Sequence, residues 1–268
     1  MSCSVERHAR DAPTLLGLLE RSLANNASRT ALVGLREGRS VTYAELDRAS
    51  AQAAHDLRAV GVHPGDHVAL LVENGLGFPV YDLAILRAGA VKVPLSAMLT
   101  ADDIGSMLHQ CRARAVVIGE TLGALGNAAL SRHKPPARPI AARSIEDLLG
   151  GGGQALAVSP DRAQDDGAAV FFTGGTSGRP KAVMHSQGGM AANMLSTVIE
   201  AEIGRDERLL LTTPLTHAAG LFTQAALIRG ACAVIDVGFD AARTLATIES
   251  RGPSSFPQCS TASSTIRQ

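Results

Sequence analysis

The chain has 268 residues, 46% of them hydrophobic and 19% charged. That composition excludes a disordered polyelectrolyte, and the length suits one large or two small domains that need no disulfide or metal staple. Lys+Arg and Asp+Glu both number 25 and aromatic residues make up 3%, so nothing advertises a nucleic-acid partner or an anionic membrane surface.

Leu15, Leu16, Leu19 and Leu23 follow a helical spacing. Residues 30–35 (TALVGL) read as a strand. Thr42 and Glu45 form a capping-box pair that opens a helix ended by Gly61. Residues 62–66 (VHPGD) are a turn and residues 67–72 (HVALLV) a buried strand. A helix runs from Pro79 to Ala88 with Gly89 as its stop, and residues 91–95 (VKVPL) are a short strand. Thr100 opens the next helix and residues 115–118 (AVVI) form the next strand. Residues 133–139 (HKPPARP) are expected to lack regular structure, and the four glycines from Gly150 begin a flexible connection over 150–166. The rhythm resumes with strands at 168–173, 208–213 and 232–237 and helices near 221–228 and 240–251. The expected fold is therefore α/β: mostly parallel sheet with helices on both faces.

Four cysteines, Cys3, Cys111, Cys232 and Cys259, make no C-x-x-C pattern and read as reduced thiols of an intracellular protein. His63 and His67 flank Pro64-Gly65-Asp66, a turn rather than one helix face, so no metal site is expected there. With neither a secretory signal nor a transmembrane segment in view, the expected location is cytoplasmic.

The segment richest in chemistry is residues 171–185, FFTGGTSGRPKAVMH. An apolar strand ends at Thr173, and Gly174, Gly175 and Gly178 follow, interleaved with Thr176 and Ser177. Glycines let a backbone approach a ligand, and successive N–H groups make an anion-binding concavity. The hydroxyls of Thr173, Thr176 and Ser177 add donors, and Lys181 adds a point charge. The only other lysines are Lys92 and Lys134. A phosphate-binding loop and a glycine-rich hairpin between two strands both fit these residues. The Walker loop is excluded because Lys181 lies between Pro180 and Ala182. The glycine spacing does not fit the dinucleotide fingerprint, Arg179 stands where a nucleophile elbow needs glycine, and an amidase loop needs serines at Thr176 and Arg179.

The run from Thr173 to Lys181 (TGGTSGRPK) resembles the phosphate-binding motif of the acyl-adenylate-forming (AMP-binding) synthetase/ligase superfamily. VTYAEL at 41–46, LRAGAVKVPL at 86–95 and PLTHAAG at 214–220 resemble further segments in the same order, the last in the acyl-CoA synthetase branch. The resemblance covers residues 14–250 and implies the N-terminal AMP-binding domain of such an enzyme, in part. It implies ATP, Mg2+ and coenzyme A as cofactors and a small fatty or aryl carboxylic acid as substrate. Thr173, Gly174, Gly175, Thr176, Ser177, Gly178 and Lys181 would bind the nucleotide phosphates. Lys181 and His217 would serve catalysis, with His217 near the acid; a histidine in a buried turn is the plainer reading. Residues 218–227 would help line an apolar pocket or belong to the core.

The family's Tyr-Gly-x-Thr-Glu and Thr-Gly-Asp segments do not follow Gly220, nor do its hinge and lysine-bearing domain. Residues 252–268 lose apolar periodicity and are expected to form an irregular tail, either from a shifted reading frame or as the end of a natural short form. The alternative function is thus a truncated, inactive fragment that at most binds nucleotide phosphates or a partner protein.

Overall fold

The computed structural model describes residues 13–151, 162–173 and 180–251. The expected tail at 252–268, most of the expected connection at 150–166, Cys3 and Cys259 lie outside the described residues.

Helix α1 (Leu15–Asn25) starts where the Thr14 hydroxyl accepts the Gly17 N–H at 3.1 Å, and buries Leu15, Leu16, Leu19 and Leu23. Strands β1 (Thr30–Gly34) and β2 (Arg39–Thr42) form a hairpin. Thr42 then caps α2 (Tyr43–Ala59): its hydroxyl accepts the Glu45 N–H at 3.2 Å, and the Glu45 carboxylate accepts the Thr42 N–H at 2.8 Å. Four donors at a helix start lack intrahelical partners, and this reciprocal pair satisfies the exposed start. Strand β3 (His67–Leu71), helix α3 (Gly77–Arg87) and strand β4 (Val91–Pro94) follow. Helix α3 begins two residues before the expected Pro79. Gly61 and Gly89, at φ +91° and +79°, end α2 and α3 in the left-handed region that favours glycine.

Thr100 and Asp103 repeat the reciprocal cap at α4 (Ala101–Gln110). Strand β5 (Ala115–Ile118), a 3-10 turn, α5 (Gly123–His133), β6 (Arg138–Ala141) and α6 (Ile145–Gly150) complete the first part. Strand β6 corrects the expectation of no regular structure at 133–139. Pro139 pairs with Val116 in parallel register on the outermost strand, where a missing N–H breaks no second ladder.

Beyond residue 161, β7 (Gly167–Thr173) and β8 (Lys181–Ser186) are antiparallel, and α7 (Gln187–Glu200) packs behind them. Helix α7 was not legible from the sequence because Gly188 and Gly189 open it, yet it buries Gln187, Met190, Ala191 and Met194. Strand β9 (Arg208–Leu211), α8 (Ala218–Arg229), β10 (Cys232–Ile235) and α9 (Ala241–Arg251) close the described chain.

The strands make two sheets. One has the order β2-β1-β10-β9 and the other β6-β5-β3-β4-β7-β8, parallel except at β1/β2 and β7/β8. The largest core cluster draws on both: Leu32, Leu209 and Ala233 from the first, Val68, Leu70 and Val117 from the second, with α1, α2, α3 and α8 between. Tyr43 is wholly buried and its hydroxyl donates to the Ala231 carbonyl at 2.6 Å. Cys111 and Cys232 are buried free thiols. Among the described residues no helix is long and apolar enough to cross a membrane.

Candidate functional site at the carboxyl ends of the sheets

Parallel strands present their loops at their carboxyl ends, where ligands of open α/β sheets bind. Two of the loops there carry the residues singled out from the sequence.

The first joins β7 to β8. Thr173 and Lys181 face each other in register, and the Thr173 hydroxyl donates to the Lys181 carbonyl at 3.4 Å. Both are exposed. Gly174, Gly175, Thr176, Ser177 and Gly178 lie outside the described residues. What is described is their frame, the antiparallel pair β7 and β8. Behind its mouth, Phe171 meets the His185 ring edge-on, with centroids 5.5 Å apart.

The second joins β9 to α8 through residues 212–217. Leu215 and Thr216 are buried, while His217 is exposed where α8 begins. A histidine enclosed in a buried turn is therefore not what the structure contains. The His217 N–H donates to the Pro214 carbonyl at 3.2 Å, and its own carbonyl accepts the Gly220 N–H at 3.0 Å. Gly220 is required here, since any side chain would strike the Leu215 carbonyl oxygen.

Asn74, three residues past β3, ties this second loop to the larger sheet. Its Nδ2 donates to the Thr213 carbonyl at 2.8 Å and to the Asp236 carbonyl at 3.2 Å. Its Oδ1 accepts the Leu215 N–H at 3.0 Å. The carboxyl ends of β3, β9 and β10 thus meet at one side chain. The β7–β8 turn leaves the same edge of the larger sheet two strands from β3, about 10 Å at ordinary strand spacing.

Helix α8 is held from below. Gln224 Nε2 donates to Asp82 at 2.6 Å, and Lys92 Nζ donates to the other Asp82 oxygen at 2.6 Å, all three side chains being buried. The space between α8 and α3, lined by Phe78, Gly220, Thr223 and Leu227, is about 10 Å³, too small for more than a water. That face of residues 218–227 packs as core. A larger cleft of about 210 Å³ opens beside Asn74, lined by Arg36, Glu37, Glu73 and Arg143 among others. It lies between the ends of β3 and β5, whose crossovers leave in opposite directions.

The sequence reading did not single out Asn74, Asp82 or Gln224. No motif or periodicity marks them, because their partners are 10 to 162 residues away. Among the described residues no group of three or more His, Cys, Asp or Glu side chains could hold a metal ion.

The chain belongs to the AMP-binding enzyme family, whose model matches residues 19–266. It is 33% identical over 220 residues to a feruloyl-CoA synthase of Amycolatopsis sp, covering 79% of this chain and 42% of that protein. It is 28% identical over 214 residues to the long-chain-fatty-acid–CoA ligase FadD13 of Mycobacterium tuberculosis (strain H37Rv), covering 78% and 42%. The chain thus spans about two-fifths of the length of these curated relatives. Its fold matches the inhibitor-bound N-terminal domain of FACL13 from Mycobacterium tuberculosis with a TM-score of 0.77 at 26% identity, over 88% of this chain and 60% of that one.

Proposed function

We propose that this chain is the nucleotide- and acid-binding part of an ATP-dependent acid–thiol ligase, which converts a fatty or aryl carboxylic acid to an acyl-adenylate and then to a coenzyme A thioester. One observation carries the reading: the mouth of the Thr173–Lys181 hairpin and the loop bearing His217 open on the same carboxyl-end edge. The family match and the two CoA-ligase relatives support it. The feruloyl-CoA relative favours an aryl acid and FadD13 a fatty acid.

An exposed ammonium beside a hydroxyl where two paired strands end suits a polyphosphate. Lys181 neutralises phosphate charge and Thr173 donates to a phosphate oxygen, with Gly174, Gly175, Thr176, Ser177 and Gly178 wrapping the rest. His217, with the positive end of α8 beside it, orients the acid's carboxylate. ATP supplies an electrophilic α-phosphorus that a carboxylate oxygen attacks as pyrophosphate leaves. The protein's work is positioning and charge compensation rather than covalent chemistry. Among the described residues no group of three or more His, Cys, Asp or Glu side chains is placed to hold Mg2+. Coenzyme A enters as the acceptor used by the related ligases.

Titration calorimetry with Mg-ATP tests the phosphate half. The parent chain should bind, and Lys181→Ala should bind at least tenfold more weakly; equal binding overturns it.

A second reading has its own observation. Among the described residues strand β8 is a sheet edge with Val183 and Met184 exposed, and Ile199 of α7 is 71% exposed. Such edges add strands from other chains, which favours a polypeptide partner. A monodisperse monomer in light scattering, with a cooperative melt, would count against it.

A further inference from the structure

Asn74 sits in none of the segments singled out in the sequence, yet its side chain joins the two sheets by three hydrogen bonds. A single half-buried amide uses both ends. It donates to the carbonyls of Thr213 and Asp236 and accepts from the N–H of Leu215. Those groups belong to the ends of β9 and β10 and to the segment leading into α8. Each is a backbone group just past the end of a strand or in the loop that follows one.

We propose that Asn74 is the positioning residue for His217 and the start of α8. Resting on the ligase reading above, this inference names what sets the acid-binding side of that site. The chain from Thr213 to His217 has five residues. Asn74 grips its first member and, two residues on, its third. Pro214 fixes φ between the two grips, and the Pro214 carbonyl accepts the His217 N–H at 3.2 Å. Leu215 and Thr216 are buried, so the loop cannot slide outward as a unit. With those points held, His217 has little backbone freedom and emerges at one place, with its side chain exposed. The opposite end of the lever is equally firm. The residue after Asn74 but one, Leu76, donates its N–H to Glu37 at 3.0 Å, and Leu76 is buried in the core. Glu37 lies between β1 and β2 of the smaller sheet, whereas Asn74 follows β3 of the larger sheet, which also carries Thr173 and Lys181, so the position of His217 is referred to both sheets. One amide sets the acid-binding loop against the phosphate-binding loop, although the two belong to different sheets.

The experiment uses the full 268-residue chain, Asn74→Ala, Asn74→Asp and, as a neighbour control, Glu73→Gln, whose parent side chain bonds Thr121 instead. Three readouts are taken: amide exchange at Leu215, the NMR resonances of the His217 ring, and affinity for feruloyl sulfamoyl adenosine, a stable acyl-adenylate analogue. In Asn74→Ala, exchange at Leu215 should rise about tenfold with β9 and β3 unchanged, and the His217 resonance should shift and broaden. Analogue affinity should fall at least tenfold, and His217→Ala added to Asn74→Ala should cost less than twofold more. Asn74→Asp keeps the acceptor and loses the donor, so Leu215 should stay protected while the His217 resonance moves. Glu73→Gln should leave all three unchanged. Parent-like Leu215 exchange and His217 resonance in Asn74→Ala overturn the proposal, and so does faster exchange spread equally over β3, β9 and α8. If Asn74→Ala does not fold, an unmoved His217 resonance in Asn74→Asp overturns it. If the parent does not bind the analogue, the ligase reading fails instead, and the exchange and NMR readouts still decide the clamp.

Discussion

Lys92 and Lys181 lie on strands of one sheet, with β7 between them, and have opposite fates. Lys92 is 3% exposed, its ammonium 2.6 Å from an Asp82 oxygen whose twin is taken by Gln224. Lys181 stands in water at the open end of a hairpin. In a chain with three lysines, rarity alone does not tell a structural lysine from a ligand-binding one; surroundings do. A buried ammonium exists only because a carboxylate has been brought to it, and neither can then be removed alone. An exposed ammonium contributes almost nothing to the fold and remains available to a phosphate. The contrast extends to whole regions. The packing of α1, α2, α3 and α8 between the sheets is closed, whereas among the described residues β8 and the outer side of α7 are exposed.

Removing the Lys92 charge should break the closed region hardest. Lys92→Met leaves Asp82 buried and unneutralised, and urea unfolding should show a loss of about 3–5 kcal/mol. Adding Asp82→Asn to it should recover part of that. A loss below about 1 kcal/mol would put Lys92 in the same class as Lys181.

Alkaline pH should weaken the buried cores on the two faces of the larger sheet less, at Cys111 on one and Tyr43 on the other. Burial pushes the Cys111 thiol from 9.0 up to about 11, and raises the Tyr43 phenol as well. Between those values the native thiol keeps its proton while the unfolded chain loses it. Stability is therefore full below pH 9 and falls as pH rises toward about 11, by roughly 2–3 kcal/mol at most. Urea midpoints at two pH values in that range check this, and Cys111→Ala should flatten the fall without abolishing it, because Tyr43 pulls the same way.

Thr42→Ala, which removes one arm of the α2 cap, should cost about 1 kcal/mol in the same assay. The smallest effect belongs to the open region. Lys181→Ala should alter stability by no more than about 0.5 kcal/mol while Mg-ATP affinity drops. A Lys181→Ala chain destabilised as much as Lys92→Met would erase the distinction between the two regions.

Much of the fold was legible because it is written locally. Thr42 with Glu45, Thr100 with Asp103, and the stops at Gly61 and Gly89 act within a few residues, and the structure contains each of them. The hidden elements have non-local causes. Pro139 joins a strand only because β5 lies beside it and the sheet ends there. Helix α7 forms despite Gly188 and Gly189 because Met190 and Met194 have a core to enter. In the candidate site, Thr173, Lys181 and His217 stood out by motif, and the motif said nothing of which loops would meet.

The sequence by itself determined the family, the alternation of strand and helix, and the residue types offered to a phosphate. Those are matters of local propensity and of short contiguous segments, where a spacing of three or four residues carries the physics. Only the tertiary structure decided that the strands divide into two sheets, that His217 emerges at the surface, and that Lys92 is a strut. It alone brought Asn74 to Thr213 and Asp236, 139 and 162 residues away. A hydrogen bond across such a separation leaves no periodicity in the chain, because its geometry exists only once two independently patterned sheets have packed.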